Sequence, residues 1–242
     1  MLKKCSWDGE DVNCSSIFRT VPTAEGMCCA FNAEDALKQS SYSDLVMEMR
    51  SRSGKSERVN MENAKAGKKR GLRVVLDLHS NVNAFGTVYD DFNGFKVSVG
   101  EPAEFPQMQE RSLHMPSGFE HFIDISADDL IADENVRDEK SVDRQCLFKH
   151  ENTLEYYKNY TYSTCKFECK IKLADAAVSC TPWFLPQGTN TTACDPWQAR
   201  NFMQIIHSIE EEECGHCLSD CEVTIYNVDQ SSTPFRQSMR LI

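Results

Sequence analysis

Apolar positions change their spacing once along this chain, near Cys146, and the two halves predict different elements. Before that point the pattern is strand-like. LRVVLDL (72–78) is a run of leucine and β-branched residues, and FKVSV (95–99) alternates with Phe95, Val97 and Val99 on one face. FEHFIDI (119–125) is a third strand, entered from the turn-forming Pro116-Ser117-Gly118. EVTIYNV (222–228) alternates again near the end. EDALKQSSYSDLVMEM (34–49) predicts a short helix, and the polar, basic stretch from 50 to 70 predicts a solvated loop. The middle of the chain therefore predicts a β-sheet with long excursions between its strands.

Beyond Cys146 the spacing becomes helical. From Tyr160 onward, aromatic and apolar residues recur at helical intervals as far as the LADAA segment, and CTPWFLP (180–186) breaks the run with two prolines. DPWQARNFMQIIHSIEEEE (195–213) resumes a helix, with Asp195 as N-cap and Pro196 at the first helical position. Trp197, Phe202, Ile205, Ile206 and Ile209 supply its apolar face. Two helices joined by a Pro-rich turn predict an antiparallel hairpin.

A chain of 242 residues with 40% hydrophobic and 26% charged residues can bury a core of ordinary size. Its formal net charge of −11 argues against non-specific binding to nucleic acid, which needs a basic footprint. No stretch approaches the roughly 20 apolar residues of a membrane helix. The opening MLKKCSWDGEDVNC has no apolar run behind its lysines, so no signal peptide is expected there. Six histidines are scattered without a nucleophile motif, phosphate loop or His-Glu-x-x-His beside them, so no enzyme and no cofactor is expected.

The twelve cysteines change the picture more than composition does. Eight of them lie between Cys146 and Cys221, and CGHCLSDC (214–221) holds three. A zinc site drawing on Cys165, Cys169, Cys214, Cys217 and His216 would leave Cys146, Cys180, Cys194 and Cys221 without a role. A reactive Cys-x-x-Cys wants its first sulfur at a helix N-terminus, whereas this one follows a helix and four glutamates. Disulfides remain, and in an antiparallel hairpin cross-links must nest. Cys165 and Cys169 project from one helix face, so the nested set is Cys169–Cys214, Cys165–Cys217 and Cys146–Cys221, with Cys180–Cys194 closing the turn. Eight cysteines allow about a hundred connectivities, and the hairpin narrows these without choosing one. Three N-x-S/T sequons, at Asn13, Asn159 and Asn190, favour a surface in the secretory pathway.

The order of these residues resembles a known family. Cys5, Cys14, Phe18, Gly26, Cys28 and Phe31-Asn32 resemble the G-x-C-x-x-F-N signature of the degenerin/epithelial sodium channel superfamily. Gly71-Leu72, Glu101-Pro102, Pro116-Ser117-Gly118-Phe119 and the cysteine-rich stretch with Pro-Trp-Phe-Leu-Pro (182–186) follow in that family's order, most like its insect pickpocket branch. The resemblance implies an α+β fold: an antiparallel palm and β-ball core, a disulfide-laced helical-hairpin thumb and a partial finger. It divides the chain into partial finger and upper palm (1–70), palm and β-ball (71–145), thumb (146–221) and a returning palm strand (222–242). It implies the same nested ladder, adds Cys5–Cys14, and gives Cys28 a partner upstream; Cys29 has no counterpart. A further thumb pair of the family is replaced near Ser179 and Phe202.

The resemblance also implies a role. This would be the extracellular part of a trimeric, amiloride-sensitive-type sodium channel subunit in the plasma membrane, gated by an extracellular stimulus through thumb–palm movement. Its expected partners are other subunits of the same family, in a homotrimer or heterotrimer, sodium ions, and an extracellular ligand of unknown nature. The chain is expected to begin after one membrane helix and stop before the other, so that it does not conduct by itself. The alternative is a secreted, cysteine-rich ligand-binding or decoy protein built from such an ectodomain. Carboxylates crowd the stretch from Asp124 to Asp143, and Glu210, Glu211, Glu212 and Glu213 form a second cluster. The sharper expectation is that Glu210 to Glu213 bind a proton or divalent cation, and the plainer one is a solvated acidic face.

Overall fold

The computed structural model describes residues 1–43, 46–47, 70–78, 93–106, 108, 112–151, 154–188 and 191–235. Its first element is a hairpin that the sequence reading did not isolate. β1 (Leu2–Trp7) turns through Asp8-Gly9 into β2 (Glu10–Val12), with φ of 49° and 90° at the two turn residues. An Asp-Gly pair at positive φ is the turn whose twist matches that of antiparallel strands. A single helical turn, α1 (Cys14–Ile17), is capped by the Asn13 side chain and leads into β3 (Phe18–Thr23), which pairs with β4 (Gly26–Phe31).

The predicted strands all form, but not as one sheet. β5 (Leu72–Leu76) adds to the free side of β1, giving the order β2-β1-β5. β6 (Gly94–Ser98) pairs with β7 (Ser112–Pro116), and β8 (Phe119–Leu130) pairs with β11 (Val223–Pro234). Among the described residues the result is one three-stranded sheet and four two-stranded ones, almost all antiparallel. Two elements run further than their apolar alternation. β8 continues past Ile125 to Leu130 because β11 pairs with it in unbroken register, from Phe119↔Pro234 to Leu130↔Val223. The acidic end of β8 is held across the ribbon: Thr224 Oγ1 donates to Asp129 (2.7 Å) and Asn227 Nδ2 to Asp128 (2.6 Å). Alternation conceals such a strand, since its partners are polar.

The helix expected over 34–49 forms only toward its far end in the described part, where Val46 and Met47 are helical and the Met47 amide donates to the Ser43 carbonyl (3.0 Å). Residues 39–41 make a single 3-10 turn, and Leu37 bridges to Tyr157 instead. Backbone pairing there outweighs a weak local propensity. The basic stretch from 51 to 69 lies outside the described residues.

After the short helix α2 (Ser141–Arg144) and strand β9 (Cys146–Leu147) come the two long helices, α3 (Tyr162–Val178) and α4 (Pro196–Ser208). Both have reciprocal capping boxes. In α4, Asp195 accepts from the Trp197 and Gln198 amides (2.9 and 2.8 Å), and Gln198 returns the contact to the Asp195 amide (3.0 Å). α4 ends at Ser208, short of the expected 213, and Glu211–Cys214 form a separate 3-10 turn. Four glutamates at a helix C-terminus oppose its dipole; restarting the chain puts Glu211, Glu212 and Glu213 in a first turn instead.

The buried face of α4 is Phe202, Met203 and Ile206, continued by its C-cap residue Ile209. Trp197 is 78% exposed, against its expected place on the apolar face. At about 100° per residue it lies well over a quarter-turn from the centre of that face.

Candidate functional site

The feature that the chain invests most in is the hairpin from Cys146 to Cys221. Its core joins Phe105, Tyr157, Tyr160, Phe167, Ile171 and Phe202. Phe105 comes from the segment after β6 and stacks on Phe167 with ring centroids 5.4 Å apart. The Pro182–Pro186 turn docks on the N-terminal third, where Ser43 Oγ donates to the Trp183 carbonyl (2.7 Å) and the Gln187 amide to the Ser41 carbonyl (3.0 Å). The hairpin is thus bound to the rest of the chain at its turn as well as at its root.

Four disulfides run along it. Cys146–Cys221, Cys165–Cys217 and Cys169–Cys214 nest, with Cα separations of 5.0, 5.8 and 6.0 Å, and Cys180–Cys194 closes the turn at 5.0 Å. A fifth, Cys5–Cys14, closes the first hairpin at 5.2 Å. The five pairs are those named from hairpin geometry and family resemblance. Cys165, His216 and Cys217 come close enough to share an ion, but the two sulfurs are bonded to each other, so neither can act as a thiolate ligand. Cys28 and Cys29 are not in disulfides. They point to opposite faces of β4, and burial raises both thiols above the ordinary range. Cys29 opens into a cavity of about 620 Å³ beside Cys5–Cys14.

Charged groups fix the root. Arg144, buried except for a few per cent of its side chain, pairs with Glu151 and donates to the Cys146 carbonyl (3.0 Å). Arg137 pairs with Glu222, next to Cys221, and both arginines lie within 5 Å of the Phe148 ring centre. Glu151 is held below the usual carboxylate range by the Phe148 amide and Arg144. On the other side, Lys149 pairs with Glu101, Ser163 Oγ donates to Glu104, and Tyr160 Oη donates to the Leu218 carbonyl (2.6 Å). The Tyr162 amide, at the start of α3, donates to both oxygens of Asp220 (3.1 and 3.2 Å).

Of the other residues singled out from sequence, Asn13 is exposed and caps α1, and Asn159 is half-buried just before the α3 cap. Asn190 lies outside the described residues. Glu210 to Glu213 are exposed beside the Cys169–Cys214 rung, where Glu213 accepts from the Glu210 amide (3.2 Å) and Lys166 donates to the Glu211 carbonyl (2.5 Å). Sequence reasoning missed Asp220, Glu104 and the buried Glu168. The partners of Asp220 and Glu104 lie 58 and 59 residues away, and those of Glu168 in the non-helical segment 12 and 13 residues before it. Only the place of Asp220 next to Cys221 could have marked it as fixed.

No helix among the described residues is long and apolar enough to cross a membrane. Residues 1–241 match the amiloride-sensitive sodium channel family, and the chain belongs to it. That is a family of ion channels, not of enzymes. Pickpocket protein 28 of Drosophila melanogaster is 28% identical over 96% of this chain and 42% of its own length. The sodium channel protein Nach of Drosophila ananassae is 25% identical over 99% of this chain and 43% of its own. The degenerin-like protein asic-2 of Caenorhabditis elegans is 23% identical over 82% and 32%. The chain thus spans less than half the length of these relatives.

Proposed function

We propose that these residues form extracellular structure of a sodium channel subunit in the plasma membrane. Residues 1–70 are its partial finger and upper palm, 71–145 its palm and β-ball, 146–221 its thumb, and 222–242 the start of a returning palm strand. Subunits of the same family complete a trimer around a sodium pathway. An extracellular stimulus moves the thumb against the palm, and the palm ribbon carries the movement toward the membrane. The observation that supports this most is the hairpin itself. It is stiffened by four disulfides and tied at its root to Glu222, which leads directly into the long ribbon strand β11. A stiff lever on an extended ribbon transmits displacement, whereas a binding module has no need of that connection.

The test is the complete polypeptide expressed at a cell surface with candidate sister subunits. The expected result is a sodium-dependent current, a chain labelled from outside, and glycans on Asn13, Asn159 and Asn190. Secretion of a glycosylated chain that no subunit combination converts into current would favour the soluble ligand-binding alternative. For Glu210 to Glu213 the proposal is cation or proton binding that biases the thumb. Replacing all four by glutamine should shift the calcium or proton dose-response of the complete channel by several-fold. An unchanged dose-response leaves them as a solvated face.

A further inference from the structure

We propose that Asp220 is a positioning residue that closes the hairpin root in a proton-dependent way: uptake of one proton by its carboxyl tightens the junction between the start of α3, the segment 101–104 and the returning limb. The proposal stands on local geometry and is independent of the channel reading. Asp220 sits in the two-residue strand β10 (Ser219–Asp220), which lies parallel to β9 and is anchored by the adjacent Cys146–Cys221 disulfide. Its side chain therefore has little freedom to swing away. Both oxygens face the Tyr162 amide at the first turn of a 17-residue helix. That amide and the helix dipole favour a negative charge there.

Burial and two neighbouring carboxylates oppose that charge. Asp220 is half-buried, and Glu104 and Glu101 approach from the segment after β6. Glu104 is committed to Ser163, the next residue of α3, and Glu101 to Lys149, so neither can turn outward without breaking a root contact. Among the described residues Lys149 is the cation facing the group, Tyr160 and Tyr162 lie beside it, and Tyr226 faces Glu101, Glu104 and Lys149. Burial first, then Glu104 and Glu101, push the Asp220 carboxyl up to about 6 despite the Tyr162 amide and Lys149. A carboxyl raised in the folded state stabilises that state when protonated. The gain is complete below the unfolded value of about 4 and is lost as pH rises through about 6. A neutral carboxyl still accepts from Tyr162 while no longer repelling the two glutamates.

Hydrogen exchange on the disulfide-bonded chain, corrected for the intrinsic pH dependence of exchange, tests this at peptides spanning 101–106 and 160–166. Between pH 7.5 and 5 the root amides should gain up to about tenfold in protection, because pH 5 lies about one unit below the folded value and the full gain is reached only below about 4. Asp220→Asn imitates the neutral form and should be as protected at pH 7.5 as the natural chain is at pH 5, with no pH step. Glu104→Gln should keep the step but move its midpoint downward. Equal protection at both pH values, or a natural-sized step in Asp220→Asn, overturns the proposal. Should that variant not fold, carboxyl titration of the natural chain by NMR decides: a midpoint for Asp220 near 4 also overturns it.

Discussion

Replacing Cys146 and Cys221 together by serine should cost about 3.5 kcal/mol of unfolding free energy, more than removing the middle rung, Cys165 and Cys217, at about 2.5 kcal/mol. The ordering follows from nesting. Taken alone, the two pairs close loops of 75 and 52 residues, which the chain-entropy account treats as almost equal. With the inner rungs present, however, the ring that the outer bond closes runs only through 146–165 and 217–221, roughly 25 residues. The middle rung merely divides a ring of roughly 30 residues into two smaller ones, because Cys169–Cys214 lies just beyond it. Denaturant unfolding of the two double variants measures both values. A larger loss from the middle pair would mean that its packing, with both sulfurs buried in the core, outweighs chain entropy. The outer pair should also matter most for function, since it is the rung that joins the two ends of the hairpin where they meet the strands.

The same nesting explains why the hairpin was legible in sequence. Asp195-Pro196, the Pro-Trp-Phe-Leu-Pro break and the spacing of Cys165 with Cys169 are local signals, and each is read within a turn or two. The strand region was harder. β8 was cut short at Ile125 because its continuation, Ser126 to Asp129, is held by polar cross-strand bonds to Thr224 and Asn227 almost a hundred residues away. The first hairpin went unread although its Asp8-Gly9 turn is a strong local cue, because β1 (LKKCSW) places two adjacent lysines mid-strand and shows no clear apolar face. One sheet was expected where the described residues form five small ones, since periodicity reports that a strand exists and not which strand it pairs with. The root was the least legible part. Asp220, Glu104 and Tyr162 meet only after the hairpin has folded back on the strands, and no residue near any of them in the chain announces the other two.

Glu168→Ala should cost about 3 kcal/mol, close to the loss of a disulfide rung, although it removes a charged side chain from the middle of an amphipathic helix. The Glu168 side chain is 4% exposed. Its two oxygens accept from the Glu155 and Tyr156 amides (2.8 and 2.9 Å), so the helix α3 is hydrogen-bonded to the strand-like segment that precedes it. Lys172 Nζ, one turn on, donates to the same carboxylate at 2.8 Å and reaches Glu155 at 3.1 Å. Burial works against the charge on Lys172, and the two glutamates outweigh it, so the ammonium is held above its ordinary range. The ion pair is the conspicuous contact but not the one expected to matter. Lys172 is 45% exposed and can return to water, so Lys172→Ala should cost less than 1 kcal/mol. Removing the carboxylate instead strands two amides, one of them buried. Glu168→Gln should fall between, about 2 kcal/mol, because its amide nitrogen would face a backbone donor. Urea unfolding of the three variants with all disulfides intact separates the two accounts. A Lys172→Ala loss equal to that of Glu168→Ala would mean that the ion pair, and not the amide link, holds the segment before α3 to the helix.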